Sequence, residues 1–176
     1  MRSIGLAEMA LESMIHRART RRVAGGMLAE KDAVKRAIAE ARLAITQSRQ
    51  LCYLAAAVAD AKGFKEARKY VAMIKISAPR TALMVIDEAI QMHGAAGLSQ
   101  DSALPEMYMG MRTLRVADGP DSAMLGSIAD MEMSRQLTPF GSRVSGENAN
   151  VKEFRHLWDR GQPAEERKKA GSKGRL

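Results

Sequence analysis

"ARKYVAMIKISAPRTALMVIDEAIQMHGAAGLSQD", residues 67–101, decides the fold. Tyr70, Ile74, Ala78, Val85, Ala89 and Met92 recur along one face at helical spacing, and Ile76, Leu83 and Ile90 form a second apolar face. A helix that is apolar on two faces is enclosed by neighbours rather than laid on a surface. The pattern predicts a helix over about 65–93, stopped by the Gly-rich HGAAGLSQD at 93–101. Pro79 lies inside it. Its ring removes one backbone donor and crowds the carbonyl of Lys75, which predicts a kink.

Working outward, Ile4, Met9, Leu11 and Ile15, with Ala7, Ala10 and Ala18, predict a helix over about 3–21 that breaks at AGGM, residues 24–27. Val34, Ala37, Ile38, Ala41, Ile45, Ser48, Cys52 and Ala55 step by threes and fours and predict a second helix over 29–62, closed by Gly63. Shorter helices are expected over 104–116, through Leu104, Met107, Met111 and Leu114, and over 120–136, through Met124, Ile128 and Met131. No convincing strand is read. The fold class expected is all-α: an antiparallel, up-down four-helix bundle over residues 1–138 with short extra helices. Residues 139–176 read as a linker and flexible basic tail, with a short amphipathic helix at 151–160.

Composition agrees with this and excludes several classes. The 176 residues carry 46% apolar and 4% aromatic side chains, with many Ala, Met, Leu and Arg, which are good helix formers. No apolar run is long enough to span a membrane, and no secretory signal is read at the N-terminus; together with the lone Cys52 this makes a cytoplasmic setting the expectation. The net charge of +8 sits at the ends: residues 1–50 contribute +5, residues 51–150 contribute −1 and residues 151–176 contribute +4. A nucleic-acid arm at RKKAGSKGR is disfavoured against a solvated tail, since it lacks interleaved aromatics.

Three His and one Cys, with no i, i+4 ligand pair, give no metal site. His16 and His93 read as helix-surface or helix-end residues, and the 13 Met as core filling. Two stretches resist a bland reading. In QMHGAAGLSQD, residues 91–101, two glycines three residues apart allow a close backbone approach that suits a phosphate, although Gly at a helix end commonly does no more than end the helix. In RVADGPDSAM, residues 115–124, Pro120 fits the first position of a helix and Asp118 or Gly119 its N-cap. On local grounds capping is favoured there over catalysis.

Taken together, RSIGLAEMALESMIHRARTR (2–21), the 67–101 stretch and RTLRVADGPDSA (112–123) resemble the C-terminal helical domain of the acyl-CoA dehydrogenases, in the branch with a D-G-P-D box. The resemblance covers residues 2 to about 136. It implies a flavoprotein oxidoreductase of fatty acid β-oxidation that converts acyl-CoA to enoyl-CoA. A carboxylate takes the α-proton as the β-hydride passes to FAD, and hydrogen bonds to the thioester oxygen acidify the α-carbon.

By this resemblance Asp118 stands at the catalytic carboxylate, commonly a Glu in relatives, and its own N–H is one oxyanion donor. Gln91, Gly94 and Ala95 match Q-x-x-G-G-x-G, which touches the adenosine and pyrophosphate of FAD from a neighbouring subunit. Arg22 matches the Arg of an R-x-x-F-G box, and Pro120 and Ser122 fall in a stretch that contacts flavin. The sequence departs from the family in lacking that Phe, in having Ala95 for a Gly, and in running on as Asp121, Ser122, Ala123, Met124. The domains that wall the flavin in relatives have no counterpart here. The chain is therefore expected to be a fragment or split subunit, inactive alone, sharing FAD with another chain. The implied partners are acyl-CoA, an acyl-CoA dehydrogenase chain or a second copy of itself, and electron-transferring flavoprotein. The alternative is a non-catalytic helical module for oligomerisation or docking.

Overall fold

The computed structural model describes residues 1–135. The chain divides into residues 1–131 and 132–176, and the expected linker, basic tail and helix at 151–160 lie outside the described residues. In order come α1 (Arg2–Thr20), β1 (Arg22–Val23), β2 (Gly26–Met27), a 3-10 turn (Leu28–Glu30), α2 (Asp32–Lys62), α3 (Phe64–His93), a second 3-10 turn (Gly94–Leu98), α4 (Leu104–Thr113) and α5 (Asp121–Arg135).

Helix α3 is the spine. Ala67, Ala72, Ile76, Ala78, Pro79, Ala82, Leu83, Val85, Ile86 and Ala89 are buried on it, spread around more than one side as its two apolar faces require. Alanine at so many contact positions lets α1, α2 and α4 approach closely. Helix α2 presents Ala41, Ile45, Ser48, Cys52 and Ala55 to the core, and α1 presents Ile4, Ala7, Ala10, Leu11, Met14 and Ala18. Met9, expected among the core residues, is 54% exposed instead, and Met14 takes the interior place. The buried α1 positions fall at steps of three and four, and a residue two before Leu11 falls off that stripe.

Cross-links fix the register. Ser48 Oγ lies 2.9 Å from Ser77 Oγ and 2.7 Å from Thr81 Oγ1. This hydroxyl cluster sets α2 antiparallel to α3, the two being joined through Gly63. Glu8 on α1 accepts from Arg42 Nη1 and Nη2 of α2 at 2.7 and 2.8 Å, and also from Arg49. The hydrogen bond from Arg42 acts first on Glu8; burial opposes it, and Arg49 adds to it. The carboxyl ends below its ordinary 4.5.

One detail departs from expectation. The AGGM break is a hairpin, with Arg22 paired to Met27 and Val23 to Gly26 in antiparallel register. Gly25 and Gly26 supply the positive φ values, 83° and 140°, that so tight a reversal needs. Two residues per strand are too few to show as alternation in the sequence. Helix α3 continues through Pro79, as the helix expected over 65–93 requires. It ends at Gly94, whose φ of 66° is left-handed and whose N–H donates to the Gln91 and Ile90 carbonyls. Gly97 is needed for another reason: a Cβ there would lie 2.7 Å from Ile90 O and 2.9 Å from Ile90 Cα. Its close approach is to the end of α3, not to a ligand.

Two stability predictions result. Replacing Gly97 with Ala forces backbone apart and should cost about 1–3 kcal/mol; Gly94→Ala meets no clash but strains a backbone at φ 66° and ψ −142°, a region kept almost to glycine, which should also cost about 1–3 kcal/mol; thermal melts check that both variants are destabilised. Glu8→Gln should lower stability by about 1 kcal/mol at neutral pH. Because the folded carboxyl lies below its unfolded value, its contribution is fully present above that value and is lost as pH falls through the folded one. The gap between wild type and Glu8→Gln should therefore close as pH drops below 4.5, read by melts in acid.

Candidate active site

The turn between α4 and α5 is built around an uncommon backbone. Asp118 has φ 56°, the only positive φ at a non-glycine among the described residues, and Gly119 follows at 99°. The left-handed region disfavours L-residues because Cβ crowds the following carbonyl, although short polar Asp tolerates it better than most. At Gly119 it is the φ of 99° that favours glycine; a Cβ there would meet only the flexible end of Met124, Cε at 2.8 Å.

Contacts from α3 and from the turn's own flank hold this shape. Lys75 Nζ donates to Leu114 O at 2.6 Å and to Gly119 O at 3.0 Å. Arg80 Nε and Arg115 Nε donate to Asp121 Oδ2 at 3.0 and 2.8 Å. Asp121 N donates to Arg115 O at 3.2 Å. Asp121 is only 8% exposed, and its Oδ1 is buried without a partner. Burial works to raise this carboxyl; the hydrogen bonds of Arg115 and Arg80 and their charges outweigh it and hold the group below its ordinary 3.8. Asp121 thus enters the first turn of α5 as an anion, where the helix dipole favours one.

Asp118 itself is exposed, and among the described residues its side chain has neither a hydrogen-bond nor an ion-pair partner. It is not the N-cap that local reading favours. A cap residue has extended backbone, and Asp118 is left-handed. Helix α5 begins at Asp121, one residue later than expected. Pro120 sits just before it, with its carbonyl accepting from Ala123 N and Met124 N at 3.0 and 3.2 Å. Pro120 and Ser122 are both exposed beside Asp118.

The far end of α3 carries the second group. Gln91, Gly94 and Ala95 are exposed there, and a Cβ on Gly94 would meet nothing within 4 Å. His93 anchors this corner to α1. Its Nδ1 lies 2.7 Å from Ala89 O, which only accepts, so Nδ1 donates there, and Nε2 lies 3.2 Å from Ser13 Oγ. Arg17 Nη2 donates to His93 O at 3.3 Å, while Arg17 Nε is buried and unpartnered. Arg22 is exposed on β1, just beyond the end of α1.

The expected site residues therefore fall into two patches. Asp118, Pro120 and Ser122 lie on the turn and helix start that Lys75 and Arg80 of α3 hold through Leu114, Gly119 and Asp121, Gln91, Gly94 and Ala95 lie at the C-terminus of α3, and Arg22 stands apart on β1. Arg80 to Gln91 is about 16 Å of helix, and Lys75 to Gly94 about 28 Å. One chain does not bring the patches together. Sequence reading missed Lys75, Arg80 and Arg115. Two cations on an apolar helix either side of Pro79 were the available signal, but their partners lie about 40 positions away along the chain, which no local pattern reveals.

Comparison with known proteins places this geometry. A model of the acyl-CoA dehydrogenase C-terminal domain matches residues 1–133. A Mycobacterium tuberculosis protein named "Probable acyl-CoA dehydrogenase FadE2" is 50% identical over 145 residues, covering 82% of this chain and 36% of its own length. Acyl-CoA dehydrogenase family member 11 of Rattus norvegicus is 46% identical over 144 residues, covering 82% of this chain and 18% of its own. A solved Mycobacterium abscessus structure, provisionally described as an acyl-CoA dehydrogenase, superposes with a TM-score of 0.75 at 43% identity, over 77% of this chain and 33% of that one. The chain thus spans about a third or less of the proteins it matches. Since the match runs through every described helix but the last residues of α5, the chain belongs to the acyl-CoA dehydrogenase family, as its C-terminal domain.

Proposed function

We propose that this chain supplies the base-bearing domain of an FAD-dependent acyl-CoA dehydrogenase, which oxidises an acyl-CoA to the α,β-enoyl-CoA. The carrying observation is Asp118: an exposed carboxylate without a partner, on a turn secured on both sides of it. A carboxylate committed to a cap or an ion pair is not free to take a proton. In this reading Asp118 accepts the α-proton of the thioester. The Asp118 N–H, which donates to no backbone carbonyl among the described residues, is available to the thioester oxygen as negative charge develops there. FAD, when bound, accepts the hydride from the β-carbon.

The residues present suit such a group. Pro120 and Ser122 flank Asp118 and would face the flavin ring. Open space at Gly94 lets backbone meet a pyrophosphate, and Gln91 and Arg22 bring donors that match phosphate and adenosine. The separation of the two patches favours a homo-oligomer, or union with another acyl-CoA dehydrogenase chain, in which each nucleotide is shared. Exposed Leu43, Phe64 and Leu98 offer apolar surface for such contacts. Electron-transferring flavoprotein as acceptor, β-oxidation as setting and the cytoplasm as location belong to the same reading. The same exposed side chains favour the second reading, a docking module without chemistry, in which Asp118 has no role.

The test is a chimera in which residues 1–135 replace the corresponding domain of the M. tuberculosis relative. Acyl-CoA should bleach its visible flavin absorbance, and Asp118→Asn should slow that bleaching by about 10²–10⁴-fold, the usual contribution of a general base. An unchanged rate in Asp118→Asn would establish the docking reading instead. The 176-residue chain on its own should show no turnover.

A further inference from the structure

We propose that Lys75, Arg80 and Asp121 are positioning residues: they clamp the backbone on both flanks of Asp118, hold it in its left-handed conformation and leave its carboxylate free. The inference rests on the reading of Asp118 as the base. The pattern of contacts carries it. Lys75 grips a carbonyl before Asp118 and another after it, Leu114 and Gly119. Arg80 reaches Asp121 beyond the turn, and Arg115, before it, shares the same oxygen.

Four residues thus secure the stretch 114–121, and none of them touches the Asp118 side chain. A turn evolved only to connect α4 with α5 has no need of a disfavoured φ at its one unpaired carboxylate. An exposed L-residue at φ 56° relaxes unless its surroundings over-determine it. Here the surroundings do so from α3, the most enclosed helix of the bundle. The conformation is therefore set by this domain itself, before any other polypeptide, cofactor or substrate arrives. The design separates two tasks. Cations hold main-chain carbonyls and a second carboxylate, so the reactive carboxylate keeps its reach.

Backbone amide relaxation by NMR on the full chain tests this without flavin or substrate. In the wild type, residues 115–119 should have order parameters near those of the helices, about 0.85. In Lys75→Met, and separately in Asp121→Asn, they should fall below about 0.6, with residues 82–89 of α3 unchanged. A purely structural role would lower the melting temperature of the whole bundle without this local loss. A turn already loose in the wild type, one that stays ordered in both variants, or a bundle that melts in both, overturns the proposal. A second arm uses the chimera: Lys75→Met should lower kcat by about 10²-fold, as a misplaced catalytic group does, with KM little changed. A fall carried by KM alone contradicts positioning. A wild-type chimera that never turns over refutes the catalytic reading, and the relaxation result still decides whether the clamp holds the turn.

Discussion

Everything in this domain depends on the burial of α3. Its small side chains, Ala67, Ala72, Ala78, Ala82 and Ala89, allow three other helices to pack close around it. The gain is chiefly apolar area removed from water, together with dispersion contacts that close packing multiplies. A helix so enclosed is rigid, and that rigidity is what the functional features borrow. The Asp118 turn is pinned to its middle by Lys75 and Arg80, and the glycine corner is its C-terminal stop.

The fold was legible because its signals are local. The α2 core positions Ala41, Ile45, Ser48, Cys52 and Ala55 are the ones the three-and-four spacing picks out, and Gly63 and Gly94 end helices as their freedom of φ suggests. Met9 and the Arg22–Met27 hairpin were not legible. One apolar residue off the stripe looks like its neighbours in composition, and two residues per strand carry no period.

The candidate site was legible in a different way. Composition and spacing made Asp118 a cap. Only resemblance to the acyl-CoA dehydrogenases raised it to a base, and the structure adds that its backbone is wrong for a cap and its side chain unpartnered. The residues that hold it were invisible, because Lys75 and Arg80 find their partners only once α4 has folded back along α3. Asp121 was read only as the last residue of D-G-P-D, and its partly buried ion pairs with two arginines came from tertiary structure alone. The glycines divide in the same manner. Gly94 faces open space, whereas Gly97 is small because the end of α3 lies against it.

The arrangement leaves the two candidate patches at different heights on one helix, and in the proposed reading another polypeptide completes the site. A pulsed spin-resonance distance between labels at residues 91 and 118, in a chain with Cys52 replaced, tests this most directly. A two-patch domain predicts an intrachain separation of about 16–28 Å, the span of α3 between them. A separation of about 10 Å or less would put both patches in one local pocket and contradict it.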